Sequence, residues 1–253
     1  MQKTLLLAIL VISLGLASCA GSDDENVDTV PPIDPVLVPH LGDTGDDPVE
    51  WGDQVNLVLT EENNGIDTVP DGNWIRVLWD PFKDNDLSHV KIWRYDDFDP
   101  EPELVDSISA SEDYYLDVST DLTERVWYSY YIDLVDLAGN SSRSDTVGYA
   151  LLSKSMPTSP ANNATISTIG ATFEWESSGT VSFYRLMLFD ENNEYFYHDD
   201  LYVAMEPELQ ITLPVNLGLS GRSMRWRVDA FDWDQDKQIY IGSESNERIV
   251  HFQ

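Results

Sequence analysis

Apolar and polar positions alternate along most of this chain in short runs, with a period nearer two than 3.6. Residues 74–79 (WIRVLW), 89–95 (HVKIWRY), 114–118 (YYLDV) and 126–135 (VWYSYYIDLV) are rich in β-branched and aromatic side chains, which fit a pleated, half-buried surface. An earlier run at 55–59 (VNLVL) has the same character, and Asn63-Asn64-Gly65 and Pro70-Asp71-Gly72 punctuate the series as turns. After Lys154-Ser155-Met156-Pro157 the runs restart at 171–175, 183–189, 195–197, 209–213, 224–231 and 248–252. No long stretch carries the helical period. Short strands at this spacing predict an all-β chain of two tandem β-sandwiches, residues 31–153 and 154–253, divided in the Pro-bearing segment at 154–160.

The first thirty residues break the pattern. Lys3 is followed by an apolar run from Leu5 to Leu16, interrupted only by Ser13 and Gly15, and then by Ala17-Ser18-Cys19. A basic start, an apolar stretch and a small-residue cleavage site predict a secretory signal over residues 1–18. The run is shorter than the ~20 apolar residues a spanning helix needs. With Cys19 directly after the small residues, the segment resembles the lipobox of bacterial lipoproteins. That resemblance implies acylation of Cys19 and a membrane contact through N-terminal acyl chains. Residues 19–30 are small, polar and acidic, too poor in apolar surface to fold, and read as a tether. Ser22-Asp23-Asp24-Glu25 resembles the surface-export signal of some Gram-negative lipoproteins. It implies an outer-membrane lipoprotein exposed on the cell surface, with a periplasm-facing anchor as the alternative.

Charge narrows the partners. The chain holds 46 acidic and 14 basic residues, a net of −32. It lacks the phosphate-neutralising surface that drives nucleic-acid binding, and anionic lipid would repel its body. Cys19 is the only cysteine, so no disulfide or thiolate metal site is available to the domains. Eight Trp, twelve Tyr and eight Phe provide the core instead.

The first half resembles a fibronectin type III domain. A Trp-bearing strand (IRVLWDP, with Trp79) leads through Asp84-Asn85-Asp86-Leu87 into HVKIWRY. Later, Leu122 stands six residues before Tyr128, Tyr130, Ile132 and Leu134 alternate, and Asp136-Leu137-Ala138-Gly139-Asn140-Ser141 closes the run. That is the family's tyrosine-corner and last-hairpin pattern. Residues 31–73 exceed one ordinary first strand. The second half resembles the same superfamily through FEW at 173–175, YRL at 184–186 and RWRVDA at 225–230, with Met224 in place of the corner tyrosine. A thioether cannot donate the hydrogen bond that locks such a corner.

Catalytic signatures are absent from the sequence: there is no nucleophile elbow, zinc-protease helix, phosphate loop or Rossmann fingerprint. His40, His89, His198 and His251 fall on different segments without metal-ligand spacing. No cofactor and no enzyme activity are expected. Asp232, Asp234 and Asp236 form the most metal-like string, but Lys237 and Ser243 occupy the Gly and Glu positions of an EF-hand. A solvated acidic turn is the preferred reading and a loose calcium site the alternative. Asp28-Thr29-Val30, Asp67-Thr68-Val69, Asp106-Ser107-Ile108 and Asp145-Thr146-Val147 resemble a short bacterial O-glycosylation signal.

Strand parity points to a binding surface. If Tyr128, Tyr130, Ile132 and Leu134 face the core, then Trp127 and Tyr131 face outward. On the neighbouring strand Val90, Ile92 and Arg94 point in, leaving Trp93 and Tyr95 outside. Trp93, Tyr95, Trp127 and Tyr131 are thus a candidate platform for a glycan or protein ligand, or else cross-strand pairs that stabilise the sheet or a face buried against the second domain or residues 31–73. The same parity places Arg185, Arg225 and Arg227 outward with Phe183 and Phe231, a candidate basic spot. The expected function is a lipid-anchored binding module, with a passive spacer or envelope-assembly component as its rival.

Overall fold

The computed structural model describes residues 28–39, 65–177, 179–192, 195–203 and 208–253. The signal segment, Cys19, His40 and the run at 55–59 lie outside them. All regular structure among the described residues is β. In the first sandwich, β1 (Asp67–Thr68), β2 (Ile75–Leu78) and β5 (Tyr114–Asp117) form one sheet. The facing sheet runs β4 (Glu103–Ser109), β3 (Leu87–Asp96), β6 (Tyr128–Asp136) and β7 (Ser141–Arg143), and β8 (Val147–Tyr149) continues the last strand on β6. This three-on-four antiparallel arrangement is the strand order of a fibronectin type III-like sandwich.

The long first segment is explained by a split edge strand. Leu37 bridges Trp79, while Asp67 and Thr68 pair with Arg76 and Ile75. Both pieces lie along the same edge of β2, with residues 40–64 inserted between them.

In the second sandwich, β9 (Met156–Ser159), β11 (Thr172–Glu176) and β14 (Gln210–Thr212) form the smaller sheet. Against it stand β10 (Ala164–Ile166), β17 (Arg248–Phe252), β15 (Ser223–Asp234), β12 (Phe183–Phe189) and β13 (Tyr195–Tyr202), with β16 (Ile239–Glu244) on β15. β10 pairs with β17 in parallel, so the first strand of this domain crosses from one sheet to the other, an immunoglobulin-like feature.

Each sandwich has its own core. Val77, Trp79, Val90, Ile92, Tyr130 and Ile132 fill the first. Phe173 and Trp226 meet edge to face at 4.8 Å in the second, where Met224 is also buried. The tyrosine corner is present: Tyr128 Oη accepts from Thr123 N at 2.8 Å and donates to Asp121 O at 3.2 Å.

The two cores are joined by a buried linker. Leu151 packs into the first core, and Ala150 and Leu152 into the second. Leu151 bridges Gly242, and Leu152 N donates to Gly242 O at 3.1 Å. Two polar clamps flank it. Arg125 pairs with Asp232 at 2.7 Å, and Lys237 pairs with Asp97 at 2.9 Å beneath the Trp127 ring. A third contact sits at Lys154, whose Nζ donates to Val69 O and, at 2.5 Å, to Glu244 O.

Candidate functional site

The outward face of the four-stranded sheet carries three of the four predicted platform residues. Trp93 and Tyr131 are register partners on β3 and β6. Their rings lie 6.0 Å apart with 13° between planes. Arg143 on β7 lays its guanidinium 4.2 Å from the Tyr131 ring and forks onto Asp133 at 2.7 and 3.0 Å. Tyr95, two positions along β3 from Trp93, opposes Ser129. Trp93 and Tyr95 are half-buried, and Tyr131, flanked by Trp93 and Arg143, is buried. Burial raises the Tyr131 phenol pKa, against the pull of Arg143 and with Asp133 and Tyr95 adding to it.

Trp127 departs from the platform. It lies before β6 begins, packs against the second core and sits against the backbone of Gly148, where any side chain would collide with the indole. Strand parity cannot be extended past the end of the pairing, and the contacts across the junction decide this residue instead. Arg143 was missed by sequence reasoning, although Ser141-Ser142-Arg143 directly after the hairpin turn has the parity to place it on this face.

The basic spot on the second domain is corrected by the structure. Arg185 and Arg227 do lie on the face opposite the core, but both are fully buried and ion-paired. Arg185 forks onto Asp200 at 2.8 and 3.2 Å. Arg227 pairs with Asp229 at 2.9 Å and Glu244 at 2.8 Å, and Arg225 with Glu247 at 3.2 Å. Register places Asp200 and Asp229 opposite Arg185 on its two neighbouring strands, so a carboxylate neutralises each cation within the sheet. Phe183 and Phe231 stack at 4.5 Å and are buried as well.

Asp232, Asp234 and Asp236 do not converge as a metal centre. The Asp232 carboxylate is taken by Arg125 and by Ser182, whose hydroxyl donates at 2.5 Å. Asp234 instead caps its own turn, accepting from Asp236 N and Lys237 N at 2.9 Å. Among the described residues the carboxylates that do gather belong to Asp28, Asp86 and Asp136, with ligand oxygens within 4.8 Å of one another. These could hold a hard divalent cation. Burial alone would raise the Asp136 pKa, but donation from Asn140 and from the Gly139 and Ala138 amides overrides it and holds the carboxyl below its usual range. In the sequence Asp136 and Asn140 read only as a hairpin turn. Only the folded chain brings Asp28 to them.

Other chemistry is dispersed. His198 meets Tyr195, His251 meets Ser223 at 2.7 Å, and His89 meets Ser88 at 3.0 Å. Of the four Asp-Ser/Thr triplets, 67–69 is buried and the hydroxyl residues of the other three are exposed.

No family model matches this chain, and no curated protein matches it. Among solved structures it is similar to the FN1-FN3 domains of chicken CNTN1, at 12% identity and a TM-score of 0.36, over 88% of this chain and 68% of that one. It is also similar to pectate lyase Pel3 of Pectobacterium carotovorum (14% identity, TM-score 0.28) and PelI of Erwinia chrysanthemi (17%, 0.29), over 40% of this chain. The chain spans about a third of the length of these lyases, 32% and 33%. Likenesses at these scores carry no argument about activity.

Proposed function

We propose that this chain is a lipid-anchored, non-catalytic binding module held outside the cytoplasm by acyl chains on Cys19, with a glycan or protein ligand. The observation that carries this reading is the half-buried pair Trp93 and Tyr95 on the outward sheet face, with Trp93 braced by the buried Tyr131 ring and edged by the Arg143–Asp133 fork. Flat aromatics accept the apolar face of a sugar ring or a partner side chain. A guanidinium and a carboxylate beside them offer donors and acceptors for hydroxyls or peptide groups. An outer-membrane lipoprotein exposed on the cell surface fits the acidic tether, and protease shaving of intact cells tests that placement.

The rival reading, a passive spacer or envelope-assembly component, is favoured by the buried linker at Ala150–Leu152. A stiff joint suits a strut as well as a receptor.

Trp93→Ala and Tyr95→Ala, made in the full chain and screened on a glycan array and then against any glycan retained, separate the two readings. The expected result is at least tenfold loss of affinity with an unchanged melting temperature. Loss of stability with no change in binding would assign these residues to the sheet alone.

A further inference from the structure

We propose that a cleft at the free pole of the first sandwich, opposite the junction, binds the guanidinium or ammonium end of a basic side chain on a partner polypeptide. This site is separate from the aromatic sheet face. It occupies about 440 Å³ between the β2–β3 turn and the β4–β5 turn.

The cleft is built as two fixed lips. Trp79 is its floor, only 2% exposed. Its indole donates to Glu112 O at 3.1 Å, and its backbone N to Asp113 O at 3.3 Å, tying the second lip down. On the first lip, half-buried Phe82 stacks over Trp79 at 6.1 Å and 14°. Leu87 and Ala110 extend the apolar wall. Ser109 and Ser111 close their turn on each other, hydroxyl to hydroxyl at 2.8 Å. The rim is acidic: Asp84 on one lip, Glu112 and Asp113 on the other. No residue lining the cleft is Lys, Arg or His.

Charge and shape together select the occupant. An apolar wall takes the methylene stem of a long side chain while the rim takes its charged head. An aromatic ring beside carboxylates suits a cation in particular. A metal ion does not fit, because the only triad of convergent ligand atoms among the described residues is Asp28, Asp86 and Asp136. The net charge of −32 draws cationic partners to the chain. The cleft gives that attraction a defined address.

The test titrates the full chain with acetyl-Gly-Arg-Gly-amide at low ionic strength and follows the Leu87 and Ala110 methyls and the Phe82 ring by NMR. Saturable shifts are expected, absent with the Gln peptide. Glu112→Gln/Asp113→Asn, at exposed positions, should weaken binding about tenfold, and Phe82→Ala should weaken it too. Glu174→Gln/Glu176→Gln on β11 should have no effect. The proposal is overturned by no saturable shift, by equal binding of the Gln peptide, or by equal weakening by the β11 control, which would mark diffuse attraction. Saturation by spermidine without saturation by the arginine peptide would also overturn it, assigning the cleft to free polyamines.

Discussion

Arg94 shows how far a single residue could be read from the sequence. Alternation along residues 89–95 places it inward with Val90 and Ile92, an awkward position for a cation. The structure resolves the conflict with partners from distant segments. Arg94 bonds Asp117 at 2.9 Å, Glu103 at 2.6 Å and Asp121 at 2.9 Å, and Tyr130 Oη donates to the same Asp117 at 2.8 Å. Parity gave the direction, but the partner lies 23 residues away and only the fold brings it there. Burial opposes the charge of Arg94, and Asp117 overrides it, keeping the guanidinium protonated. Asp117→Ala would remove the buried acceptor that Arg94 and the Tyr130 hydroxyl share. The cost should be about 3 kcal/mol, the low end for breaking a buried pair because Glu103 and Asp121 remain. Asp117→Asn, which keeps an acceptor, should cost less. Urea unfolding with an unchanged m-value checks both, and equal costs would show that the lost charge, not the lost acceptor, sets the penalty. Tyr128, by contrast, was legible from Leu122-x5-Tyr128 alone. Tyr128→Phe should lose about 1 kcal/mol with the corner hydrogen bond, visible as a lower melting temperature.

At the scale of elements, strands with a partly buried face were legible even at sheet edges, as at β5 and β14, and the exposed strand β4 was not. Residues 183–189 and 248–252 coincide with β12 and β17, because core packing demands apolar positions there. β4 (ELVDSIS) is an edge strand exposed at most positions, so its sequence carries no burial signal. The junction was invisible for a related reason, since its contacts join residues from opposite ends of the chain. Lys154 makes that junction titratable. Burial lowers its pKa from 10.5 to about 8, although Glu244 and Asp229 pull it upward. Between pH 8 and 10 the unfolded chain therefore holds a proton that the folded chain has released, and stability rises with pH. Tyr130 acts in the opposite sense. Burial, with Asp117, raises its pKa well above 10, so above that pH the unfolded chain sheds a proton the folded one keeps, and stability falls. Thermal unfolding should show maximal stability near pH ~10, with a rise of about 2 kcal/mol from pH 8. Lys154→Met should flatten that rise and spare the fall above it. A rise that survives the substitution would place the titrating group elsewhere.

The whole molecule has a direction, set by where Asp28 sits. Asp28 lies at the free pole of the first sandwich, where its carbonyl accepts from Asn140 at 3.1 Å beside the β6–β7 turn. The junction with the second sandwich is at the opposite pole. The sequence shows two runs of strands separated near residue 154, but not which pole the tether leaves from, because that depends on the path of residues 28–39 across the first sandwich. If Cys19 is acylated, eight residues lie between the anchor and Asp28, and the nine steps span at most ~32 Å. The free pole would then sit close to the bilayer and the second sandwich would be carried outward. Cys19 is the sole native cysteine, so once it is acylated a single introduced thiol can be labelled cleanly. Ser111→Cys at the free pole and Ser220→Cys at the outer end of the second sandwich, each labelled with a fluorophore on lipidated protein in liposomes, report the orientation. Energy transfer to an acceptor in the bilayer should be strong from position 111 and weak from position 220. Stronger transfer from 220 would invert the molecule. Cys19→Ala should abolish both signals and release the protein into the wash, and a variant that stays on the membrane would remove the acyl anchor from the account.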